Sequence, residues 1–556
     1  MRIISGKAKG TKLYTLEGTN TRPTLDRVKE SIFNIIQNDI EDAEILDLFA
    51  GSGAIGLEFL SRGARNAVLC DKSKDAIEII KRNVQKTHME EKTQINDIDR
   101  SIYDIKDEEK DAYRIQAGLT PEIVEKISKE KHDPAWMELF RLQSLQIYNE
   151  MKVPDWGPSI EGLDMSNIAT YVRPNTKMTA KWSEVPQDIK DTFERLGIPQ
   201  AERKSLAGVG AQYDSELVYH NVRKEVEEQG VVYTDMESAL TGPYADMVRK
   251  HFMKLVKPTD HKFAALHGAV WSGGSFVYVP PHVSVEIPLQ SYFRLNAPGA
   301  GQFEHTLIIV DEGADLHFIE GCSAPKYNVA NLHAGCVELF VGKNARLRYS
   351  TIENWSKNMY NLNTKRAQVE EGGVIEWVSG SFGSHVSYLY PMSILKGRGA
   401  KMEFTGITFA GKGQDLDTGA KVVHAAPDTS SFMNTRSISK DGGVSTFRSS
   451  VSVTKEAKNS RSSVSCQSLM LDSISRSDTI PAMDIRTKDA DIGHEARIGR
   501  ISDEAVFYLM SRGLSEEDAR AMIVSGFADN VSKELPLEYA VEMNNLIRLE
   551  MKGSIG

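Results

Sequence analysis

Cysteine is scarce in this chain, with four in 556 residues, at positions 70, 322, 336 and 466. They are too few and too scattered for a disulfide framework, and no Cys-x-x-Cys pair occurs, so the chain lacks a four-thiolate metal set of its own. No apolar run is long enough to span a bilayer and no secretory leader opens the sequence, which makes the cytoplasm the expected compartment. No GxxxxGK[ST] occurs either. Gly6-Lys7 and Gly342-Lys343 have the wrong spacing, and the chain is predicted to hydrolyse no ATP. Positive charge is in deficit, with a net charge of −10. That excludes nucleic-acid binding by the chain as a whole and leaves room only for a local basic patch.

The length predicts three or four domains. The most regular stretch runs from about Phe263 to Glu495, where a small-residue pair recurs between an apolar residue and an alternating segment. The pairs are Gly313-Ala314, Asn344-Ala345, Gly372-Gly373 and Gly399-Ala400, with first members 31, 28 and 27 residues apart (313 to 344 to 372 to 399). VPPHVSVEI lies one step upstream. Period-2 alternation (Leu316, Phe318; Leu347, Tyr349; Ile375, Trp377) makes the unit a strand rather than a helix. A sandwich would also give many short strands, but not such even steps. The expectation is a parallel β-helix, each coil covering the apolar face of the last.

Residues 1–34 hold seven Lys/Arg against three Asp/Glu, a basic arm that is either a solvated terminus or a phosphate contact. A strand from Ile45 to Phe49 then runs into Gly51-Ser52-Gly53-Ala54-Ile55-Gly56, and a second strand, Ala67 to Cys70, ends in Asp71. Glycines that let the backbone turn and approach a ligand, a helix N-terminus and an acid for ribose hydroxyls define a dinucleotide site or an S-adenosylmethionine site. The strings RIISGKAKGTKL, NTRPTLDRVKESIFNI and LDLFAGSGAIGLEFLSRGA resemble the RsmD family of ribosomal RNA guanine-N2 methyltransferases, over about the first half of such an enzyme. The resemblance implies Asp47, Gly51, Gly53, Gly56 and Asp71 as S-adenosylmethionine contacts. The family's Asn/Asp-Pro-Pro-Tyr/Phe catalytic loop does not occur. Asp133-Pro134-Ala135-Trp136 lacks the second proline and reads as a helix start. Residues 1–88 are therefore expected to be a truncated α/β Rossmann-like fragment with an unpaired sheet edge, a vestigial cofactor site and doubtful RNA binding.

At Met89 the text turns acidic and polar, and residues 89–119 read as a linker with Met89 as the start of a self-standing protein. Helix follows from Thr120-Pro121-Glu122, a cap and first turn. A second helix has Trp136, Leu139, Phe140 and Ile147 on one predicted core stripe. Further helices are predicted near 184–197 and 217–229, giving a helical domain over 120–255, a β core over 256–495 and C-terminal helices over 496–556. Ser515-Glu516-Glu517-Asp518 starts one of the last.

FAALHGAVWSGGSFVYVP, QSYFRLNAPGAGQFEHTLIIVDEGADLHFIEGCSAP, YSTIENW, TKRA, SISKDGG and FYLMSRGLSEEDARAMIVSGFADNVSKELPLEYAVEMNNLI resemble the SufB family of iron–sulfur cluster assembly scaffolds, from about Met89 to Gly556. The resemblance implies a mainly β protein, a right-handed parallel β-helix flanked by helical domains. It implies a transient cluster as cargo, SufD or a second SufB as partner, and the SufC ATPase docked on the C-terminal helices. Sulfur would come from a cysteine-desulfurase-linked donor of SufE or SufU type, and the cluster would pass to apo iron–sulfur proteins; no membrane is involved. By residue, it implies that Cys322 accepts sulfur and that Cys466, with Glu495 foremost and His494, holds the cluster. Arg294, Asn296, Glu353, Trp355 and Lys365 would line the route between.

The residues alone say less. Cys322 lies in a predicted turn, Gly321 to Pro325, where a thiol can be exposed, the alternative being a buried inert thiol. Cys466 alternates with apolar neighbours like a packing residue. His494 and Glu495 share one ligand set only at a bend, which Gly493 permits. Against the family pattern, Glu353 stands where relatives often carry Gln, a charge with no evident use beside the anionic persulfide that the resemblance implies. Cys336 reads as core. The rival reading, an S-adenosylmethionine-dependent RNA methyltransferase with an accessory β-helix, fails on the missing catalytic loop.

Overall fold

The computed structural model describes residues 2–551 except 16–28, 31, 34–35, 38–39, 48–49, 72–73, 90–91, 98–112, 177, 196–205 and 536. The chain divides into two compact units, Met1–Ser101 and Ile102–Gly556. Most of the acidic stretch read as a linker lies outside the described residues, as does TRPTL of the basic arm. No helix among the described residues is long and apolar enough to cross a membrane.

In the first unit, strands Glu44–Asp47, Asn66–Asp71 and Thr93–Asp97 form a parallel sheet in that order. Helices Ala54–Ser61 and Lys74–Thr87 connect them. Two strands, followed by a fresh start at Met89, are what the sequence predicts here. The structure instead buries Met89 in the same apolar cluster as Leu57, Leu69, Ile80 and Val84. The cause is the open edge of Asn66–Asp71, whose unpaired amides and carbonyls take the next extended segment as a partner. The described part of the basic arm is also tied down. Glu58, fully buried, accepts from the amides of Ile4 (2.8 Å) and Ser5 (3.0 Å) and pairs with Lys29 (3.0 Å) and Arg62 (2.9 Å).

The second unit is built on eight parallel strands that stack coil on coil: Ser284–Arg294, Asp315–Ser323, Arg346–Asn354, Val374–Phe382, Lys401–Ala410, Ser430–Ser439, Ser460–Met470 and Ala490–Arg500. In the early coils the opposite wall is made of two short strands per coil, such as Asn331–His333 and Cys336–Val341. The two series merge at Asp415–His424, which pairs with both Val386–Leu389 and Met392–Leu395. The expected parallel β-helix is thus present, three-sided at first and flattened later. The recurrent pairs mark one corner of it. Gly313, Asn344, Gly372 and Gly399 all have left-handed φ between 53° and 69°, as do His282, Asp428 and Asn459 at the same corner. The following alanines (Ala314, Ala345, Ala400) are at most 1% exposed. A left-handed residue turns the chain, and a small buried one lets the next coil approach.

Because side chains alternate along a strand, every second residue of the stacked strands faces inward. The inward set includes an aromatic column in register, Phe318, Tyr349, Trp377 and Phe404, with Phe318 and Tyr349 stacked at 5.7 Å. The outward set (Ile319, Ile352, Ile407, Ile438) is covered by the C-terminal helices Glu516–Ser532 and Leu537–Met551 through Val524, Val531, Leu546 and Ile547. Ser515 caps the first of these helices, as expected.

Two helical expectations are corrected. Over 217–229 the chain forms strand Glu216–Val222, antiparallel to Gly208–Tyr213, and only a short helix, Lys224–Glu227. Gly208–Tyr213 pairs with Ser284–Arg294 and so closes the first end of the stack. Tertiary pairing has overridden the local helical pattern. In helix Ala135–Glu150 Trp136 and Phe140 of the expected stripe pack against the core, but the fully buried face is Met137, Arg141, Ser144 and Leu145, and Leu139 is 57% exposed. An ion pair between Arg141 and Asp133 (2.6 Å, both fully buried) and the Arg141 bond to the Trp271 carbonyl (2.8 Å) turn the polar face inward.

Burial lowers the imidazoles of His220, His261, His317 and His424 from 6.5 to about 4, and that of His305 to about 3. Their folded values lie below the unfolded one, so their contribution is complete above the unfolded value and is lost as pH falls towards the folded one. The thermal midpoint is expected to fall steadily from pH 6.5 to pH 4. His424→Gln should flatten that dependence when followed by circular dichroism; an unchanged pH slope would show that His424 is not among the titrating groups.

Candidate functional site

Strand register places Cys322 and Cys466 on the same inward face. Counting along the coils, Cys322 stands in line with Glu353, Ser381, Thr408, Ser437 and Ser468. The adjacent inward column, two residues earlier on each strand, reads Glu320, Thr351, Ser379, Gly406, Thr435 and Cys466. The two cysteines are therefore five strand steps apart, about 24 Å along the axis at about 4.8 Å per step. Between them both columns carry only small hydroxyl residues, glycine and Glu353, while the next column is apolar, running Phe318, Tyr349, Trp377, Phe404, Met433 and Val464. Ser437 and Ser468 are hydrogen-bonded at 2.8 Å and Thr408 reaches Thr418 of the opposite wall at 3.3 Å. Midway, Ser379, Gly406, Thr408, Thr418 and Thr435 line a cavity of about 10 Å³, about what one water occupies.

The Cys322 end differs from the exposed turn expected of it. Cys322 lies inside strand Asp315–Ser323 and is 1% exposed. Burial, together with Glu320, Glu304 and Glu353, pushes its thiol well above the ordinary value, against the single opposing pull of Lys365. Lys365 reaches in from the opposite wall to Glu320 (3.0 Å), the Thr351 hydroxyl (3.0 Å) and Glu353 (3.7 Å). The network continues from Glu353 to the donating amide of Asn361 (2.7 Å), from Asn361 to His333 (2.7 Å), and from His333 to Glu304 (2.5 Å). Tyr349 donates to Glu320. Burial pushes the Glu353 carboxyl up, beyond what Lys365 and His333 offset.

Trp355 is fully buried in one cluster with Cys322 and lies 4.6 Å from the His333 ring. Arg294 takes the other side: its guanidinium donates to Ser323 Oγ (3.0 Å), in register with it and alternating with Cys322. Asn296 is held by its amide to Asp214 (2.7 Å) beside that segment. The structure thus gathers Glu353, Trp355 and Lys365 around Cys322 and sets Arg294 and Asn296 on the flank. Glu304, Glu320, His333 and Asn361 were missed in the sequence. Their polar identity at inward positions of strand-rich text, as in FEHTLIIV and NLHAGC, was the available signal.

At the far end, Cys466 is 2% exposed, and burial pushes its thiol up to about 12. His494 Nε2 stands 3.7 Å from its Sγ. No bend occurs at Gly493: strand Ala490–Arg500 is continuous, so Glu495 alternates to the opposite side. There it is held by Arg497 at 2.7 Å, with both side chains exposed. The structure brings His494 to Cys466 and leaves Glu495 apart, reversing the order expected of them.

In the first unit the glycine turn forms. Gly51 and Gly53 are left-handed (φ 54° and 74°), and a Cβ on Gly56 would meet Leu69 at 2.2 Å. Asp71 Oδ2 accepts from Gly51 N (2.7 Å) and Asp47 Oδ2 from Gly56 N (3.2 Å). Both carboxylates are thus at least partly spent on holding the turn itself.

Three family profiles match the chain. Residues 124–291 match the SufBD protein N-terminal region and 293–527 the SufBD core domain of the SUF iron–sulfur assembly system. Residues 1–113 match Conserved hypothetical protein 95. The iron–sulfur cluster assembly protein SufB of Bacillus subtilis is 50% identical over 460 residues, 83% of this chain and 99% of that protein. A SufBD family assembly protein of Staphylococcus epidermidis is 50% identical over 463 residues. The chain belongs to the SufBD family of iron–sulfur cluster assembly proteins. Within that family it is a SufB homologue with the role of an assembly scaffold, preceded by a methyltransferase-like fragment. Among solved structures, the methyltransferase-like YhhF of Escherichia coli is 38% identical over 17% of this chain and 50% of that one, with a TM-score of 0.16. A Thermus thermophilus protein is 32% identical over 18% and 58%, with a TM-score of 0.17. The chain spans only about half the length of these two.

Removing one member of a buried ion cluster leaves its partners charged in a poor solvent, at a cost of about 3–5 kcal/mol. Lys365→Met is expected to lower unfolding stability by that order in denaturant titration, and a second change, Glu320→Gln, should recover part of it. Equal loss in the single and double variants would mean that the three groups are not coupled.

Proposed function

We propose that sulfur enters at Cys322, travels along the inward polar columns and meets iron at Cys466, where the cluster cargo is built and then released. The observation that supports this reading most is the continuous run of hydroxyl and glycine positions joining two otherwise buried cysteines through an apolar β-helix core. Iron–sulfur cargo must be given up, so a sparse ligand set, Cys466 and His494 with further ligands from a partner, suits a scaffold better than an enclosing one.

Cys322 is a poor nucleophile as a buried thiol, because the thiolate is the reacting form. Glu353, in register with it on the next coil, accepts the thiol proton. The thiolate attacks the outer sulfur of a donor persulfide; a new S–S bond forms on Cys322, the donor's S–S bond breaks and the donor leaves as thiolate. Lys365 balances the anionic persulfide so formed. Glu353, puzzling in the sequence, thus acts as base rather than as an obstacle.

The chain works without catalysing ATP hydrolysis. SufC docks on the C-terminal helices, where helix Asp503–Ser511 exposes Phe507, Tyr508 and Met510 at 72%, 56% and 40%. SufD or a second copy takes the free edge of Ala490–Arg500, and the sulfur donor is of SufE or SufU type. Any S-adenosylmethionine contact of the first unit is vestigial, and no methyl transfer follows from it.

Cys466→Ala should abolish cluster absorbance in the purified complex while SufC binding persists, and Cys322→Ser should abolish sulfur loading by mass spectrometry. Ser379→Leu, which fills the midway cavity, should block assembly from a persulfide donor yet spare reconstitution with free sulfide and iron. Unimpaired persulfide-driven assembly in that variant would refute the internal route.

Deletion of residues 1–101 should leave cluster assembly and SufC binding unchanged, because the cut falls after the third strand of the first unit. Loss of assembly in the shortened chain, measured by absorbance at equal yield, would give the first unit a function in the scaffold.

A further inference from the structure

Cys336 takes no part in the route, yet it is not a plain packing residue. Its thiol meets the imidazoles of His267 and His305, and one ligand atom from each lies within 4.8 Å of the others, all three residues being buried. Register brings two of them together: His305 and Cys336 open consecutive strands and are paired across them. On the preceding side Gly274 lies so close to the His305 backbone that a Cβ there would stand 2.1 Å from its carbonyl oxygen. His267 arrives from helix Lys262–Val270. The group sits against the helical domain beside Met137, Phe252 and Trp271, on the wall opposite the stacked strands that carry Cys322 and Cys466.

The hydrogen bonds around the two rings are incomplete in an informative way. His267 Nδ1 faces the Ala334 carbonyl (2.9 Å), which accepts, so that nitrogen carries a proton. His267 Nε2 faces His305 Nδ1 at 3.0 Å, so a second proton lies between the rings. Two neutral imidazoles have no third. His305 Nε2 is left without a hydrogen-bond partner, 3.3 Å from the Glu338 carboxylate. Glu338 itself accepts from the amides of Met253 (2.5 Å), Leu255 (2.6 Å) and Val256 (2.9 Å). A fully buried lone pair facing a carboxylate is costly.

We propose that His267, His305 and Cys336 form a buried site for one divalent, zinc-class transition-metal ion. The ion takes the place of the proton between the rings, bound by His267 Nε2, His305 Nδ1 and the Cys336 thiolate. The displaced proton moves to His305 Nε2, which then donates to Glu338, while the Cys336 proton leaves to solvent, one per ion bound. Each ligating ring then has its outer nitrogen on a carbonyl or a carboxylate, the usual arrangement behind metal-bound histidine. Charge closes as well: a dication, one thiolate and the Glu338 carboxylate sum to zero in a region where net charge is expensive. Mixed imidazole and thiolate donors favour zinc over harder cations. With metal–nitrogen bonds of about 2.0–2.1 Å in tetrahedral geometry, the rings need to part by only about 0.3 Å.

The test uses the full chain carrying Cys322→Ser and Cys466→Ala, so that no cluster contributes metal. It is expressed with zinc, purified without chelator and assayed by elemental analysis and zinc-edge absorption. About one zinc per chain, with one sulfur and two imidazole scatterers, is the expected result. Cys336→Ser and His305→Gln should lose it while the β circular-dichroism signal persists, and Glu338→Gln should weaken retention against chelator about 10–100-fold. Cobalt substitution provides a readout with no change at the site: the chain carrying Cys336 should show a thiolate-to-cobalt band. Absence of that band together with no stoichiometric zinc, or zinc undiminished in Cys336→Ser, would overturn the site.

Discussion

Stacking in register is the constraint on which the rest depends. Each inward side chain sits about 4.8 Å from its counterpart on the next coil, so a residue's chemistry is read against the same position on its neighbours. Aromatic stands on aromatic from Phe318 to Phe404, and from Thr351 to Thr435 the column holds hydroxyl residues broken only by Gly406. A single β-helix thus separates an apolar column that stabilises it from the polar columns proposed as its internal route, two residues apart on the same strand. The same rule governs the opposite wall, where His305 and Cys336 are neighbours because they are partners in the ladder.

A polar file inside an apolar core is stable only if every charge in it is answered. Around Cys322 the answer is collective, since Lys365 is shared by Glu320 and Glu353 and the amide of Asn361 bridges Glu353 to His333. Low local polarity strengthens each of these bonds and raises the cost of breaking any one. It also keeps the Cys322 thiol protonated at rest. On the proposed route the sulfur-accepting thiol is therefore quiescent until a donor arrives.

The fold was legible because its period is written in residues that the corner demands. Gly313, Gly372 and Gly399 announce left-handed backbone, and Asn344 is the next best residue for it. His282, Asp428 and Asn459 adopt the same conformation but are followed by Val283, Thr429 and Ser460 rather than by glycine or alanine, so the small-residue pairs showed only part of the repeat. The site was legible where a motif carried it and obscure where geometry decided. A turn was read around Cys322 from Gly321 and Pro325, yet ladder pairing with Phe293 and Glu353 extended the strand through it. Gly493 permits a bend, but pairing with Ser463 keeps it extended, which separates His494 from Glu495. At Met89 a change in composition suggested a boundary, whereas the unit's edge strand took up the residues beyond it.

The C-terminal helices lie along the flank of the coils rather than at their end, and Arg348 meets Glu534 across 186 residues of sequence. Coil stacking is local, each strand pairing with one about thirty residues away, so it can advance while the chain is still being made. The flank formed by Ile319, Ile352, Ile407 and Ile438 is then complete long before the helices that cover it have been synthesised. For that interval the nascent chain presents a greasy β surface to the cell. A chain that ended short of residue 516 would leave that surface without its covering helices, the kind of apolar patch that chaperones and proteases recognise.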